Sequence, residues 1–343
     1  MVAVPHNNYH GAVADEIEGL VTVYEDGHVE RAPVMPTVES STSPLRGPGD
    51  VTWSDVTLCR VTGLWARLFV PDPDPDPDPA GEPPRLPVVV YFHGGGFCVG
   101  SAAWRCYHDF AARLAASAGC AVASVDYRLA PEHPLPAAYD DGAAAVDALL
   151  LRAARLEPRC DPSRVVLCGD SAGAAIAYHV AARLCECHAE APGWLRGVAL
   201  VQPFFGGQAR TASEESEEKE EEQRSVLSLG RSDGYCRRLA LPRGCDRDHP
   251  WCNPVGLGGA WRVIRRLPRT LVCAAGMDVL RDRNAEFCAA MKSAGNCVES
   301  RVYAGVGHAF QLLGRSHVSK VRTHEMLMHI RDFIWDTIYI TNM

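Results

Sequence analysis

Short apolar runs alternate with longer, helix-favouring segments along this chain of 343 residues. The runs are rich in valine, which favours strands buried on both faces of a parallel sheet. They fall at residues 86–92, 120–125, 164–168, 197–201, 271–275 and 298–303. Among the longer segments, the alanine-rich one at 174–184 has neither glycine nor proline and is typical of a helix. Helices are predicted at residues 107–117, 137–155, 174–184, 283–294 and 320–338.

This alternation predicts an α/β fold with a mostly parallel central sheet and helices on both faces. Hydrophobic residues make up 47% of the chain and charged residues 22%. One large domain over residues 1–343 can therefore bury a sizeable core. Residues 51–70 indicate two further strands, because apolar and polar positions alternate there.

Two stretches lie outside the alternation. Residues 1–50 are rich in proline, glycine and serine in their second half, and we expect an N-terminal cap segment over the core. Residues 203–265 are rich in glycine, proline and charge, which predicts an inserted cap over the edge of the sheet where α/β active sites lie. Within this cap, the acidic run from Glu214 to Glu222 predicts a solvated loop. Four Asp-Pro repeats at 72–79 predict an extended loop as well.

Charge and cysteine content narrow the partners and the compartment. The net charge of −8 at pH 7 argues against nucleic acid or an anionic membrane as a partner. No apolar run reaches the ~18 residues that span a bilayer. The chain has 14 cysteines, several of them in apolar runs, and its first residues lack the features of a signal peptide. Free thiols without a signal peptide predict a reducing compartment, most simply the cytosol. The oligomeric state stays open.

The sequence Gly-Asp-Ser-Ala-Gly at residues 169–173 fits the G-x-S-x-G pattern of a nucleophile elbow. It stands between the predicted strand at 164–168 and the predicted helix at 174–184. Its two glycines have no Cβ, so the chain can turn sharply where strand meets helix. A serine at the tip projects its hydroxyl above the sheet edge, beside a helix N-terminus. Ser171 is therefore the predicted nucleophile of a hydrolase.

A serine hydroxyl needs a base to take its proton and a group to orient that base. His308 lies on a glycine-containing loop after the strand at 298–303 and is the predicted base. Asp278 comes just after the strand at 271–275 and is the predicted orienting acid. Asp282 competes with it, but an aspartate there is better explained as the start of a helix. The order Ser, Asp, His is that of α/β-hydrolases.

A run of three glycines follows the strand at 86–92. Backbone N–H groups without side chains around them can crowd a carbonyl oxygen. The N–H groups of Gly95, Gly96 and Ala172 are the predicted oxyanion donors, and Gly94 serves the turn. A glycine run alone usually marks a flexible loop, but this one leaves a strand end upstream of an elbow.

Four aromatic residues near these segments are predicted to line the substrate pocket and favour an apolar acyl or aromatic group. They are Phe97, Phe204, Phe205 and Trp251. No histidine and cysteine cluster has the spacing of zinc ligands, and the glycine run lacks the phosphate-loop pattern. The predicted chemistry therefore needs no metal and no organic cofactor.

The motifs together resemble the hormone-sensitive-lipase-like branch of the α/β-hydrolases, and more closely the plant carboxylesterases related to the gibberellin receptor. The resemblance extends over nearly the whole chain. It implies a cytosolic or nuclear enzyme that hydrolyses carboxylic esters of small molecules, with the triad and oxyanion donors named above. The matching segments lie at residues 23–31, 91–97, 126–133, 169–173, 248–254 and 276–280.

The resemblance also frames the alternatives. The receptor branch of the family lacks the histidine, so His308 favours an enzyme over a small-molecule, hormone-like receptor. A dehydratase branch has threonine at the nucleophile position, where this chain has Ser171. Acyltransferase or lyase use of the same site stays open. The chain departs from many members at Ala174 and Ala175, where they have Gly-Asn, and this change removes no triad residue.

Overall fold

The computed structural model describes residues 10–47, 49–72, 85–186, 191–219, 229–256 and 263–339. Its strands are β1 (Val13–Ile17), β2 (Val21–Tyr24), β3 (Val29–Arg31), β4 (Leu45–Gly47), β5 (Val51–Thr57), β6 (Trp65–Pro71), β7 (Leu86–Phe92), β8 (Ala121–Asp126), β9 (Cys160–Asp170), β10 (Leu195–Val201), β11 (Thr270–Ala275) and β12 (Val298–Tyr303). Its helices are α1 (Arg105–Ala118), α2 (Ala137–Leu156), α3 (Ala172–Glu186), α4 (Ala212–Lys219), α5 (Leu229–Asp233), a π-helix (Gly234–Ala240), α6 (Arg281–Ser293), α7 (Phe310–Leu313) and α8 (His317–Tyr339).

Nine strands form one mixed sheet in the order β12-β11-β10-β9-β7-β8-β6-β5-β4. The six strands from β12 to β8 pair in parallel. Beyond β8, each neighbouring pair is antiparallel: β8 with β6, β6 with β5, and β5 with β4. The predicted α/β fold with a mostly parallel sheet is confirmed. Because β9, β11 and β12 are parallel, their carboxyl ends meet at one edge of the sheet.

The residues of each central strand face two helix layers in alternation. In β7, Val88 and Val90 pack with α2 and α3, whereas Val89 and Tyr91 pack with α1 and α8. Successive side chains of a strand point to opposite faces, so a strand covered on both sides is apolar throughout. This explains why the runs are continuous in the sequence, and it places helices on both faces as expected.

The largest difference from a predicted strand boundary is in β9. This strand begins at Cys160 instead of residue 164, and Cys160 pairs with Leu86 across a shift in register. The added residues include Asp161 and Pro162, which a search for apolar runs excludes. Backbone pairing at an irregular strand end therefore extends the element beyond its hydrophobic pattern.

The acidic run does not begin as the solvated loop that its charge predicts. Its described residues belong to α4, and Glu214 is fully buried. The Glu214 carboxylate forms ion pairs with Arg247 at 2.6 Å and with Arg283 at 2.9 Å, both of them buried. Two guanidinium groups compensate its desolvation, which net charge along a sequence does not reveal. Residues 220–222 of the run and 73–79 of the Asp-Pro repeats lie outside the described residues.

The N-terminal strands β1, β2 and β3 form a separate antiparallel sheet. Ile17 and Val21 are buried in the cluster that contains α2 and α3. Arg238 of the π-helix reaches Asp15 of β1 at 2.5 Å. The small sheet therefore packs against part of residues 203–265. Among the described residues, no helix has the length and hydrophobicity to cross a membrane.

Candidate active site

Ser171 lies between β9 and α3 at the carboxyl edge of the sheet. Its φ of 52° is in the left-handed region, which strains a serine and is typical of a nucleophile elbow. The missing Cβ of Gly173 lets α3 lie close to the end of β7, because a Cβ there would lie 2.0 Å from the carbonyl oxygen of Phe92. The Ser171 N–H donates to the carbonyl oxygen of Val201 at 2.8 Å, which fixes the tip against β10.

A continuous hydrogen-bond chain joins Ser171, His308 and Asp278. Nε2 of His308 lies 2.9 Å from Ser171 Oγ, and Nδ1 lies 2.8 Å from Asp278 Oδ2. None of the three residues is more than 9% exposed. Because an ionised carboxylate only accepts, Nδ1 carries the proton and Nε2 can accept from the serine hydroxyl. This arrangement can perform general-base chemistry on the serine.

Strand ends position both partners of the serine. Asp278 follows β11, and His308 lies between β12 and α7. The Leu280 N–H donates to Asp278 Oδ1 at 3.0 Å, which leaves Oδ2 to face the imidazole. The competing carboxylate, Asp282, instead accepts the Ser213 N–H at 2.7 Å. Asp282 thus anchors α4 to the start of α6.

The glycine loop after β7 leaves no room for side chains. Gly95 and Gly96 have φ angles of 113° and 60°, which favour glycine. A Cβ on Gly95 would lie 2.0 Å from the carbonyl oxygen of Val99. A Cβ on Gly96 would lie 2.3 Å from the ring of Tyr235 in the π-helix. The backbone of this loop therefore packs directly against Val99 and the Tyr235 ring, which leaves no space for a side chain on either glycine.

Asp170 links the glycine loop to the elbow. Its Oδ1 accepts the Tyr91 hydroxyl at 2.5 Å and the Gly94 N–H at 3.0 Å. Complete burial raises the pKa of Asp170 to about 6, although these hydrogen bonds oppose the rise. A Cβ on Gly94 would lie 2.6 Å from Asp170 Oδ2 and 3.2 Å from Ser171 Cβ. The Asp170 carboxyl group therefore connects the glycine loop to the residue that directly precedes the nucleophile.

Three of the predicted pocket residues are connected by aromatic contacts. The rings of Phe97 and Phe204 lie 6.1 Å apart, and the Phe204 N–H donates to the Ser171 carbonyl oxygen at 3.0 Å. Tyr139 contacts Phe97 at 6.1 Å and Trp251 at 6.4 Å between ring centroids. These contacts join the elbow to Phe204 and Trp251, which both belong to the stretch at 203–265.

Phe205 has a different environment. Its ring lies 5.6 Å from that of Tyr178 in α3 and 4.8 Å from that of Phe287 in α6. The side chain thus joins the packing between these two helices.

Comparisons with known proteins identify the family. A family model described as alpha/beta hydrolase fold matches residues 89–312. Probable carboxylesterase 6 of Arabidopsis thaliana is 46% identical over 337 residues, which cover 96% of this chain and 94% of that protein. The chain belongs to the α/β-hydrolase family. The predicted resemblance to its plant carboxylesterases of the hormone-sensitive-lipase-like branch is confirmed.

More distant relatives of this α/β-hydrolase agree. The chloroplastic tuliposide A-converting enzyme 2 of Tulipa gesneriana is 33% identical over 305 residues, which cover 87% of this chain and 73% of that protein. A solved esterase structure from Pyrobaculum calidifontis superimposes with a TM-score of 0.68 at 28% identity, covering 83% of this chain and 84% of that one. The α/β-hydrolase fold inferred from the motifs is thus confirmed.

No sequence motif marks two further residues next to the site of this α/β-hydrolase. Gln202 follows β10, and its Oε1 accepts the N–H of Ala309, the neighbour of His308, at 2.6 Å. Its position at a strand end on the same edge is a signal that could have revealed it. Tyr235 covers Gly96 from the π-helix, where no periodic pattern announces it.

An apolar cavity of the fold lies apart from these residues. It is bounded by the sheet and α2, and its walls include Val88, Ala123, Leu149 and Val165. None of the residues predicted for catalysis lines it. The candidate site therefore lies at the strand ends and not in this cavity.

Proposed function

We propose that this protein is a serine carboxylesterase that hydrolyses small-molecule carboxylic esters through an acyl-enzyme. The observation that carries the proposal is the hydrogen-bond chain from Ser171 through His308 to Asp278. Relatives named as carboxylesterase and esterase support the broader class, a carboxylic ester hydrolase. The intact histidine also favours an enzyme over a receptor on the same scaffold.

In acylation, Nε2 of His308 takes the proton of the Ser171 hydroxyl as Oγ bonds to the ester carbonyl carbon. The carbonyl π electrons move to oxygen and form a tetrahedral oxyanion. When this intermediate collapses, the bond to the alcohol oxygen breaks, and His308 returns the proton to the leaving alcohol. Asp278 accepts the Nδ1–H bond throughout and stabilises the imidazolium. The acyl group remains on Ser171.

In deacylation, water replaces the alcohol. His308 removes a proton from water, and the resulting oxygen attacks the acyl carbonyl carbon. The second tetrahedral intermediate expels Ser171 Oγ, which regains its proton from His308. The products are a carboxylic acid and the resting enzyme. All atoms in the cycle come from the ester, the water and the residues named.

Backbone N–H groups are the proposed oxyanion donors, from Gly95, Gly96 and Ala172. Gly95 and Gly96 adopt positive φ angles without strain because they lack side chains. Ala172 begins α3, so the positive end of the helix dipole adds to its N–H. Loss of one such donor typically costs about 10²- to 10³-fold in rate.

The pocket composition favours an apolar acyl or aromatic group in the substrate. Phe97 and Phe204 are next to the elbow, and Trp251 extends the aromatic surface through Tyr139. Phe205 packs instead between α3 and α6, against Tyr178 and Phe287. We further propose a single domain with caps at 1–50 and 203–265, acting in the cytosol or nucleus, where the chain's many thiols stay reduced.

A kinetic test compares three variants on a short-chain aryl ester. Ser171→Ala should lower kcat by at least roughly 10³-fold, since the nucleophile is lost. Asp278→Asn should lower it by about 10⁴-fold, because the imidazole then takes the wrong tautomer. Asp282→Asn is the matched control, since its carboxylate binds Ser213 instead of His308. This control should keep its activity within a few-fold of wild type.

Three outcomes would overturn the proposal. Full activity in Ser171→Ala would remove the nucleophile assignment. Ligand-dependent binding of a partner protein without turnover in the wild type would favour the receptor. The tulip relatives are named for converting tuliposide A, and conversion does not specify a type of reaction. Product analysis therefore completes the test. A free acid supports hydrolysis, whereas a transferred or eliminated product supports acyl transfer or lyase chemistry.

A further inference from the structure

Two histidines and a glutamate form a cluster in the N-terminal sheet, outside the catalytic elements. His10 precedes β1, His28 immediately precedes β3, and Glu30 lies within β3. One ligand atom from each of these residues lies within 4.8 Å of the others. The pairing of β1 with β2 and of β2 with β3 brings them together. Short-range spacing along the sequence does not reveal such a cluster.

A carboxylate orients the His10 imidazole. Asp26 Oδ2 lies 2.9 Å from His10 Nδ1, so this nitrogen donates and the lone pair resides on Nε2. His10 Nε2 is buried and has no hydrogen-bond partner among the described residues. Histidines that bind metals usually donate their other ring N–H to a carboxylate in this way. The unpaired nitrogen therefore has the chemistry of a metal ligand.

The other two residues of the cluster lie close to His10. The rings of His10 and His28 stack at 3.7 Å with 5° between their planes. Glu30 Oε1 lies 3.7 Å from His28 Nε2, and the Tyr24 hydroxyl donates to Glu30 Oε2 at 2.9 Å. The tyrosine thus occupies one carboxylate oxygen and leaves the other toward the histidines.

We propose that His10, His28 and Glu30 bind one Zn²⁺ ion, with Asp26 as the hydrogen-bond partner of His10. Zinc accepts imidazole nitrogen and carboxylate oxygen at about 2.0–2.2 Å in tetrahedral sites, and water completes such a set. Neighbouring ligand atoms are then about 3.3–3.5 Å apart. Parallel rings cannot both direct a lone pair at one ion, so His10 and His28 must tilt out of their stack to bind it. The ion joins residue 10 to the β2–β3 hairpin. It stabilises the folded N-terminal sheet, because the unfolded chain offers no assembled site.

The test is a Zn²⁺ titration of the full-length protein by calorimetry at pH 7.5. The wild type should bind one Zn²⁺ more per chain than the double variant His10→Gln and His28→Gln. The matched control changes His317 and His324, exposed histidines of α8, to glutamine and should keep the wild-type stoichiometry. Asp26→Asn should bind zinc about 10- to 100-fold more weakly, because it loses the carboxylate behind His10.

Cysteines elsewhere in the chain also attract zinc, so Co²⁺ serves as a spectroscopic probe. The Co²⁺ site that disappears in the double variant should show visible ligand-field bands without thiolate charge transfer in the near ultraviolet. Equal stoichiometry and affinity in the wild type and double variant overturn the proposal, and so does a thiolate signature. If circular dichroism shows that the double variant is unfolded, Glu30→Gln replaces it. Zn²⁺ should then raise Tm in the wild type and not in Glu30→Gln, whereas an equal rise contradicts the site.

Discussion

At the scale of single residues, the site depends on where protons and backbone strain are held. Asp278 decides the tautomer of His308, and the left-handed backbone of Ser171 holds its Oγ toward Nε2. Asp170 adds a second carboxyl group next to the nucleophile, shielded from water and bound to Tyr91. Burial also raises the pKa of Asp170, and this shift can be measured.

Asp170 should leave a signature in the pH dependence of stability. Its folded-state pKa of about 6 lies above the usual 3.8 of the unfolded chain, so the folded state binds the proton more tightly. The stabilisation is therefore complete below pH 3.8 and is lost as pH rises through 6. Between pH 4.5 and 7.5, the wild type should lose about 2 kcal/mol of unfolding free energy relative to Asp170→Asn, which does not titrate.

Urea unfolding at several pH values measures this difference. Comparing the two proteins at each pH cancels the titration of all other groups. A difference that is constant with pH would contradict the raised pKa of Asp170. A difference of opposite sign would mean that the hydrogen bonds from Tyr91 and Gly94 outweigh its desolvation.

At the scale of elements, the hairpin that ends in β3 meets the glycine loop through one side chain. Arg31 Nε donates to the Cys98 carbonyl oxygen at 2.7 Å, directly after Phe97. Its two terminal nitrogens donate to Glu132 at 2.7 and 2.6 Å, and one also reaches the Ala130 carbonyl oxygen at 2.9 Å. Five donors in a rigid plane suit this arrangement, and lysine does not supply them.

We expect Arg31→Lys to lower kcat by about 10- to 100-fold with little change in KM, since small misplacement of reacting groups is costly. The lysine keeps the charge but loses the fork that holds the glycine loop. Arg46→Lys is the matched control, because Arg46 is exposed and pairs with Asp72 away from this loop. Steady-state kinetics on one ester decide the matter. Wild-type kcat in Arg31→Lys would show that the hairpin does not position the loop.

The elements that could be predicted are those whose burial produces a regular hydrophobic pattern in the sequence. Strands such as β7 are covered on both faces, so their apolar runs are continuous, and the turns at their carboxyl ends contain Ser171, Asp278 and His308. The start of β9 could not be predicted, because backbone pairing and not hydrophobicity extends it. Tyr235 was equally inaccessible, since its role depends on how the π-helix packs on Gly96.

At the scale of the whole molecule, buried charge fastens the stretch at 203–265 to the body of the fold. Glu214 binds Arg247 from that stretch and Arg283 from α6, and Ser213 binds Asp282 beside them. The acidic sequence suggested solvation, but a charge is solvated or paired according to the residues that surround it in space. The same argument applies to the N-terminal sheet, which brings His10 to His28 and Glu30 across a long separation in the sequence.

The most direct test of the central claim is active-site labelling with a fluorophosphonate, mapped by peptide mass spectrometry. The reagent reacts with a serine whose proton is removed by a neighbouring base. We predict one label per chain, on Ser171, and its loss in parallel with esterase activity. His308→Ala should label far more slowly, since the serine loses its base. A label on another residue, or esterase activity that persists while Ser171 is fully labelled, would contradict the account.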